Sequence, residues 1–198
     1  MVVKDDQLTN KASDKAPYTV LSIGRFSPEK DQITLLRAMR YSRHSDEIQL
    51  NFAGFGNLLD KFENEGNRMI EEGVLKYRPQ FGFYKFEHLR ELISESYLYF
   101  HGALVEVEGL SCLEALRGGV VPVIADAPLA ATKDFALTPQ SLFKARDARA
   151  LAQKIDWWIE HPEEREDAGQ RYADFSRKFA IGKSIDSLIE MYRSVLDR

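Results

Sequence analysis

The chain has 198 residues, 44% of them hydrophobic and 29% charged, with a formal net charge of −4. That composition supports one globular domain with a sizeable core, and the acidic balance argues against a protein that grips nucleic acid, which would show a basic face to the phosphates. A single cysteine, Cys112, excludes an internal disulfide framework and fits a reducing, cytoplasmic compartment.

In chain order, residues 1–16 are polar and charged with no secretory core, and read as a disordered lead-in or a cloning boundary. The domain itself is expected over residues 17–198. Tyr18 to Ile23 is an apolar run ending at Gly24, a buried strand entering a turn. Asp31 to Arg43 carries Ile33, Leu35, Leu36 and Met39 at helical spacing. Ile48 to Ala53 is a second strand, stopped by Gly54-Phe55-Gly56, and Leu58 to Glu72 a second helix ending near Gly73. Phe81-Gly82-Phe83 lies in or after a third strand, and Phe86 to Ser94 is a third helix. Tyr97 to His101 is a fourth strand, Leu110 to Arg117 a fourth helix, and Val120 to Ala125 a fifth strand. Beyond about Ala145 three helices follow, at 148–160, 163–179 and 183–196. No apolar run is long enough to span a bilayer. The alternation predicts an α/β fold: a Rossmann-like, doubly wound parallel sheet with a C-terminal helical tail.

In such a fold ligands sit outside the carboxyl ends of the strands. The first candidate loop there is Gly24-Arg25-Phe26-Ser27-Pro28-Glu29-Lys30. Arg25 and Lys30 either neutralise a diphosphate or form an exposed pairing with Glu29 of little energetic worth. The loop is neither a Walker phosphate loop nor a Gly-x-Gly-x-x-Gly fingerprint. The second candidate runs from Val105 to Glu114. Free amides at Gly109, Leu110 and Ser111 would open a helix suited to phosphate oxygens, and Gly109 allows close backbone approach. Glu114, a turn into the helix, is placed to accept from ribose hydroxyls, and Glu106 to face hydroxyls of an attached sugar. The plainer alternative is that Glu106, Glu108 and Glu114 are solvated acids. Cys112 reads as a packed thiol. His101, at a strand end, is either a ligand contact or a satisfied core histidine. Four histidines without a spaced cluster give no expected metal site.

Together the Gly-Arg-x4-Lys loop (Arg25, Lys30) and the Glu-x7-Glu motif (Glu106, Glu114) resemble the retaining glycosyltransferase family four, of the GT-B architecture. The resemblance covers nearly the whole chain from Tyr18 and matches that family's C-terminal, donor-binding domain. The stretches 120–125, 128–137, 141–143 and 154–158 look more narrowly like the bacterial cholesterol alpha-glucosyltransferases. The resemblance implies that Arg25 and Lys30, with Gly24 between strand and loop, bind the donor diphosphate. It implies that Glu106 holds the donor sugar's hydroxyls near the reacting carbon and acts there as orienter or as nucleophile, orientation being the reading adopted, that Gly109, Leu110 and Ser111 turn amides to phosphate, and that Glu114 binds ribose. The base would lie at Gly82-Phe83-Tyr84. The chain departs from the family after the fifth strand, where Ala127-Pro128-Leu129-Ala130-Ala131 stands in place of a Gly-Gly-x-x-Glu loop.

The implied reaction is transfer of a hexose, glucose from UDP-glucose by the narrower resemblance, with retention of configuration and no metal or other cofactor. The implied partners are a UDP-sugar, a lipid or glycan acceptor, and an N-terminal acceptor domain absent from this sequence, with at most peripheral membrane contact. Residues 183–196 would cross to that domain and leave Ile185, Leu188, Ile189 and Tyr192 partly exposed. The competing readings are one half of a nucleotide-sugar epimerase, which would need acid and base groups across the cleft, and a non-catalytic nucleotide-binding module.

Overall fold

The computed structural model describes residues 9–179 and 181–196. Its strands are β1 (Tyr18–Ile23), β2 (Ile48–Ala53), β3 (Gln80–Gly82), β4 (Leu98–His101), β5 (Val105–Glu106), β6 (Val121–Asp126), β7 (Leu129–Ala130) and β8 (Leu142–Lys144). Its helices are α1 (Gln32–Ala38), α2 (Leu59–Glu71), α3 (Phe86–Ser94), α4 (Leu110–Arg117), α5 (Ala148–Glu160), α6 (Pro162–Ser176) and α7 (Ile181–Leu196). Six strands form one parallel sheet in the order β3-β2-β1-β4-β6-β8, and β5 pairs with β7 in a separate parallel ribbon. The central strands are apolar and buried along nearly their whole length, as strands covered on both faces must be. The chain winds outward from β1 to β3, then returns to lay β4 on the other side of β1. The order thus reverses between β1 and β4, and in folds of this kind ligands sit outside the carboxyl ends of the strands at such a reversal.

Three local features depart from the sequence expectation. Helix α1 stops at Ala38 rather than Arg43. The next residues tighten into i→i+3 bonds, and buried Asp156 of α5 accepts from Ser42 Oγ at 2.5 Å and from the Arg43 amide at 3.0 Å. A tertiary acceptor thus draws the chain off the helix axis before its apolar periodicity runs out. The sheet has a sixth strand, β8, too short to show a period; it is fixed by pairing Phe143 with Ala125 and burying its ring. The lead-in expected over residues 1–16 is corrected for its described part. The Lys11 amide donates to Ser94 O at 2.6 Å, Asn10 Nδ2 to Ser96 O at 2.8 Å, and Asp14 pairs with Arg165 at 2.9 Å, so this stretch is tied to the sheet's flank. Residues 1–8 lie outside the described residues.

The tail helices α5 and α6 close the core. Trp158 is buried and donates from Nε1 to Gln140 O at 3.2 Å, while half-buried Trp157 stacks on His161 with ring centroids 4.2 Å apart. Helix α7 instead exposes Ile185, Leu188, Ile189, Met191, Tyr192 and Val195. Among the described residues no helix is long and apolar enough to cross a membrane.

Candidate functional site

The β1–α1 loop is held by its own core anchor. Phe26 is 1% exposed and meets Phe62 and Phe81 edge-on, at centroid distances of 5.7 and 6.2 Å. The Phe26 amide donates to Phe55 O, and Gln32 Nε2 donates to Arg25 O at 2.9 Å. With Phe26 sunk in the core, Arg25 is left exposed beside it. The Leu104 amide donates to Glu29 O at 2.7 Å, which stitches this loop to the one following β4. Where the two loops meet, Lys30 Nζ donates to Glu106 Oε2 at 2.5 Å. Residues 76 apart in sequence, on opposite sides of the sheet's reversal point, form one ion pair with side chains 26% and 16% exposed.

Burial pushes the Glu106 carboxyl up, but the bond and charge of Lys30, the His101 ring and the Gly109 amide outweigh it and hold it below the usual carboxylate range. The Val107 amide adds a bond to Glu106 Oε1 at 3.2 Å. His101 lies behind the pair, 3% exposed, with Nε2 3.7 Å from Glu106 Oε2. Its Nδ1 faces Tyr99 Oη at 3.4 Å, and Tyr99 Oη donates to Ser111 Oγ at 3.0 Å. Burial brings the imidazole pKa down to about 4, so it is neutral at pH 7.

Helix α4 starts at Gly109, whose φ of 64° is left-handed backbone. A Cβ here would lie 2.2 Å from Thr132 Cγ2, so only glycine lets the β6–α5 segment close against the helix start. No side chain caps that start. Leu110 is exposed there and Ser111 is half-buried. One turn on, Glu114 lines a groove of about 1170 Å³ between α4, α6 and residues 9–14, and desolvation raises its carboxyl above the usual range. Cys112 is fully buried, its thiol pushed up by burial, as befits a packed side chain.

On the β2–β3 side, Gly54 must be glycine because a Cβ would fall 2.0 Å from Gly24 O. The Gly54 amide donates to Gly82 O at 2.7 Å, so the loops after β1, β2 and β3 lie level. The Tyr84 ring folds over Gly82, and exposed Phe83 packs edge-on against exposed Phe55 at 5.5 Å.

The sequence-marked residues at the carboxyl edge of the sheet are Gly24, Arg25 and Lys30 after β1, Gly82, Phe83 and Tyr84 after β3, and Glu106 to Ser111 after β4, while Glu114 lies further along α4, on the groove that helix shares with α6. Lys30 and Glu106 are in direct contact. Sequence reasoning missed that contact, the companion ring of Phe55, and the link from Ser111 through Tyr99 to His101. An aromatic between two glycines was the available signal for Phe55; nothing in the sequence marks a pair 76 residues apart. Among the described residues, no three His, Cys, Asp or Glu side chains gather as a metal site would need.

Comparison with known proteins gives the family and the fold. Residues 3–174 match the family model for glycosyl transferases group 1. No curated protein matches the sequence. Among solved structures, the chain is similar to the catalytic domain of cholesterol-alpha-glucosyltransferase from Helicobacter pylori, with 37% identity over 82% of this chain and 99% of that one, at a TM-score of 0.74. It shares its fold with Anabaena HepE, solved with UDP and glucose, at 18% identity over 90% of this chain and 48% of that one, TM-score 0.74. It likewise shares its fold with the pneumococcal O-GlcNAc transferase GtfA, solved with UDP and GlcNAc, at 20% identity over 98% of this chain and 38% of that one, TM-score 0.74. The chain therefore spans less than half the length of these last two.

Proposed function

Since this chain belongs to the glycosyl transferases group 1 family, we propose that it is the donor-binding domain of a retaining hexosyltransferase that takes a UDP-sugar, UDP-glucose first. The observation that carries the reading is the Lys30–Glu106 pair at the reversal point of the sheet, beside an uncapped helix start that Gly109 holds open. Cations and helix amides are what a departing nucleoside diphosphate needs, and a partly buried carboxylate next to them suits sugar hydroxyls. The 37% identity to a solved glucosyltransferase domain supports glucose as the sugar, and the fold-mates solved with UDP support the base.

In this reading charge builds on the β-phosphate as the glycosidic bond breaks, and Arg25, Lys30 and the Leu110 and Ser111 amides at the start of α4 stabilise it, the Gly109 amide being given instead to Glu106. That electrostatic role asks for no metal or other cofactor. The anomeric carbon becomes oxocarbenium-like, and the acceptor attacks from the face the diphosphate leaves, so configuration is retained. Glu106 orients the sugar, Glu114 accepts from ribose, and the base lies along Gly82, Phe83 and Tyr84. The acceptor, a lipid or glycan, is held by a further domain, so this chain alone binds donor with little turnover.

Calorimetric titration with UDP, UDP-glucose, GDP-mannose and NAD tests the reading. UDP and UDP-glucose should bind without added metal, GDP-mannose and NAD weakly or not at all. Arg25→Ala and Glu114→Ala should each weaken UDP by about tenfold, since each removes a charge-assisted contact of roughly 1.4 kcal/mol. Heat from none of the four ligands, or equal UDP affinity in both variants, would contradict it.

A further inference from the structure

The Lys30–Glu106 contact sets a conflict that His101 can resolve. As proposed above, Lys30 serves the diphosphate and Glu106 the sugar, yet in the structure each is committed to the other at 2.5 Å. A diphosphate carries at least two negative charges against one on the carboxylate, so a bound nucleotide draws the ammonium away. Glu106 would then be an anion only 16% exposed, held by the Val107 and Gly109 amides alone. Such a group needs a further donor. One polar atom stands by: Nε2 of His101, buried, without a hydrogen-bond partner among the described residues, and 3.7 Å from the same Oε2 that Lys30 holds.

We propose that Lys30–Glu106 is a latch which the donor diphosphate opens, and that His101 Nε2–H then takes the place of Lys30 on the Glu106 carboxylate, keeping it aimed at the sugar. This rests on the donor-binding reading and adds a positioning residue to it. In the free chain Tyr99 Oη gives its one proton to Ser111, so His101 Nδ1–H donates to Tyr99 Oη and Nε2 is the bare nitrogen of the neutral ring. When the latch opens, exchange with solvent moves the ring's proton to Nε2, and the Tyr99 hydroxyl turns to donate to Nδ1 while the Ser111 hydroxyl donates to Tyr99. The charged groups facing it are Glu106, which raises its pKa, and Lys30, which lowers it. Departure of Lys30 removes the lowering charge, so proton affinity of the ring rises when nucleotide binds.

The test uses UDP on the whole chain. Side-chain 15N spectra of wild type, free and saturated with UDP, follow the His101 signals, identified by their loss in His101→Gln. With UDP, the Nε2 resonance should move toward a protonated, hydrogen-bonded nitrogen, and the His101 pKa should climb by at least half a unit from about 4. In Glu106→Gln that UDP-induced change should vanish. Glu106→Gln should also bind UDP about twofold to fivefold tighter, because Lys30 no longer has a carboxylate to leave. Unchanged His101 signals in UDP-saturated wild type would overturn the inference while leaving donor binding intact, as would equal or weaker UDP affinity in Glu106→Gln. Absence of any heat from UDP in calorimetry would overturn both, and so separates the two failures.

Discussion

His101 shows what burial does to a single titratable side chain. An imidazole in the unfolded chain takes up a proton near pH 6.5, whereas the buried ring in the folded protein does so only near 4. The unfolded state therefore binds more protons across that interval, and the folded state loses stability as pH falls from about 6.5 toward 4. His44 acts in the opposite sense. Burial lowers its pKa, but bonds to Glu47 and Glu160 outweigh that and raise it, so its contribution is present at low pH and fades as pH rises through the raised value. Subtracting one protein from another isolates His101. Urea unfolding at pH 7 and pH 5 should show a smaller loss on acidification in His101→Asn than in wild type, and an identical loss would exclude a buried neutral ring. By sequence this residue reads either as a core histidine or as a ligand contact. The structure puts it in the core with one nitrogen turned toward the site, a position that depends on Tyr99, Ser111 and a glutamate on the next loop.

At the scale of elements, local pattern located β1, β2, α3 and α5 to the residue, because apolar runs and amphipathic helices carry their limits within themselves. Asp147, for example, accepts from the Ala150 amide and starts α5 where the periodicity begins. Elements defined by their neighbours were not legible. The end of α1 belongs to Asp156, more than a hundred residues away, and β8 and the β5–β7 ribbon exist through pairing alone. Asp156→Ala removes the acceptor of the Ser42 hydroxyl and the Arg43 amide inside the fold. It should cost about 2–4 kcal/mol in urea unfolding; a loss below about 1 kcal/mol would mean that α1 ends for some other reason. The candidate site divides along the same line. Its loops were legible from glycines and strand ends, but the Lys30–Glu106 contact required the strand order.

For the whole molecule, α7 contrasts with the rest. Its exposed apolar side chains lie on a helix that makes little contact with the sheet layers, so they add little to the stability of this chain. Leu188→Glu with Ile189→Lys should leave the urea midpoint within about 0.5 kcal/mol of wild type and reduce self-association in sedimentation velocity. A large destabilisation would mean that the helix packs on the domain in solution.

The stitch from Leu104 to Glu29 and the ion pair beneath it join segments on either side of the order reversal, far apart along the chain. Closing loops of that length is slow, and contacts of this kind form late on a folding path. A ligand that needs both loops finds no site on a chain that has formed only β1 to β3. Nucleotide bound as proposed should therefore act on one limb of the kinetics: it should slow unfolding in proportion to its occupancy and leave the refolding rate as it is without ligand. Stopped-flow traces with and without UDP would show this directly, as one moving arm of the chevron beside one fixed arm.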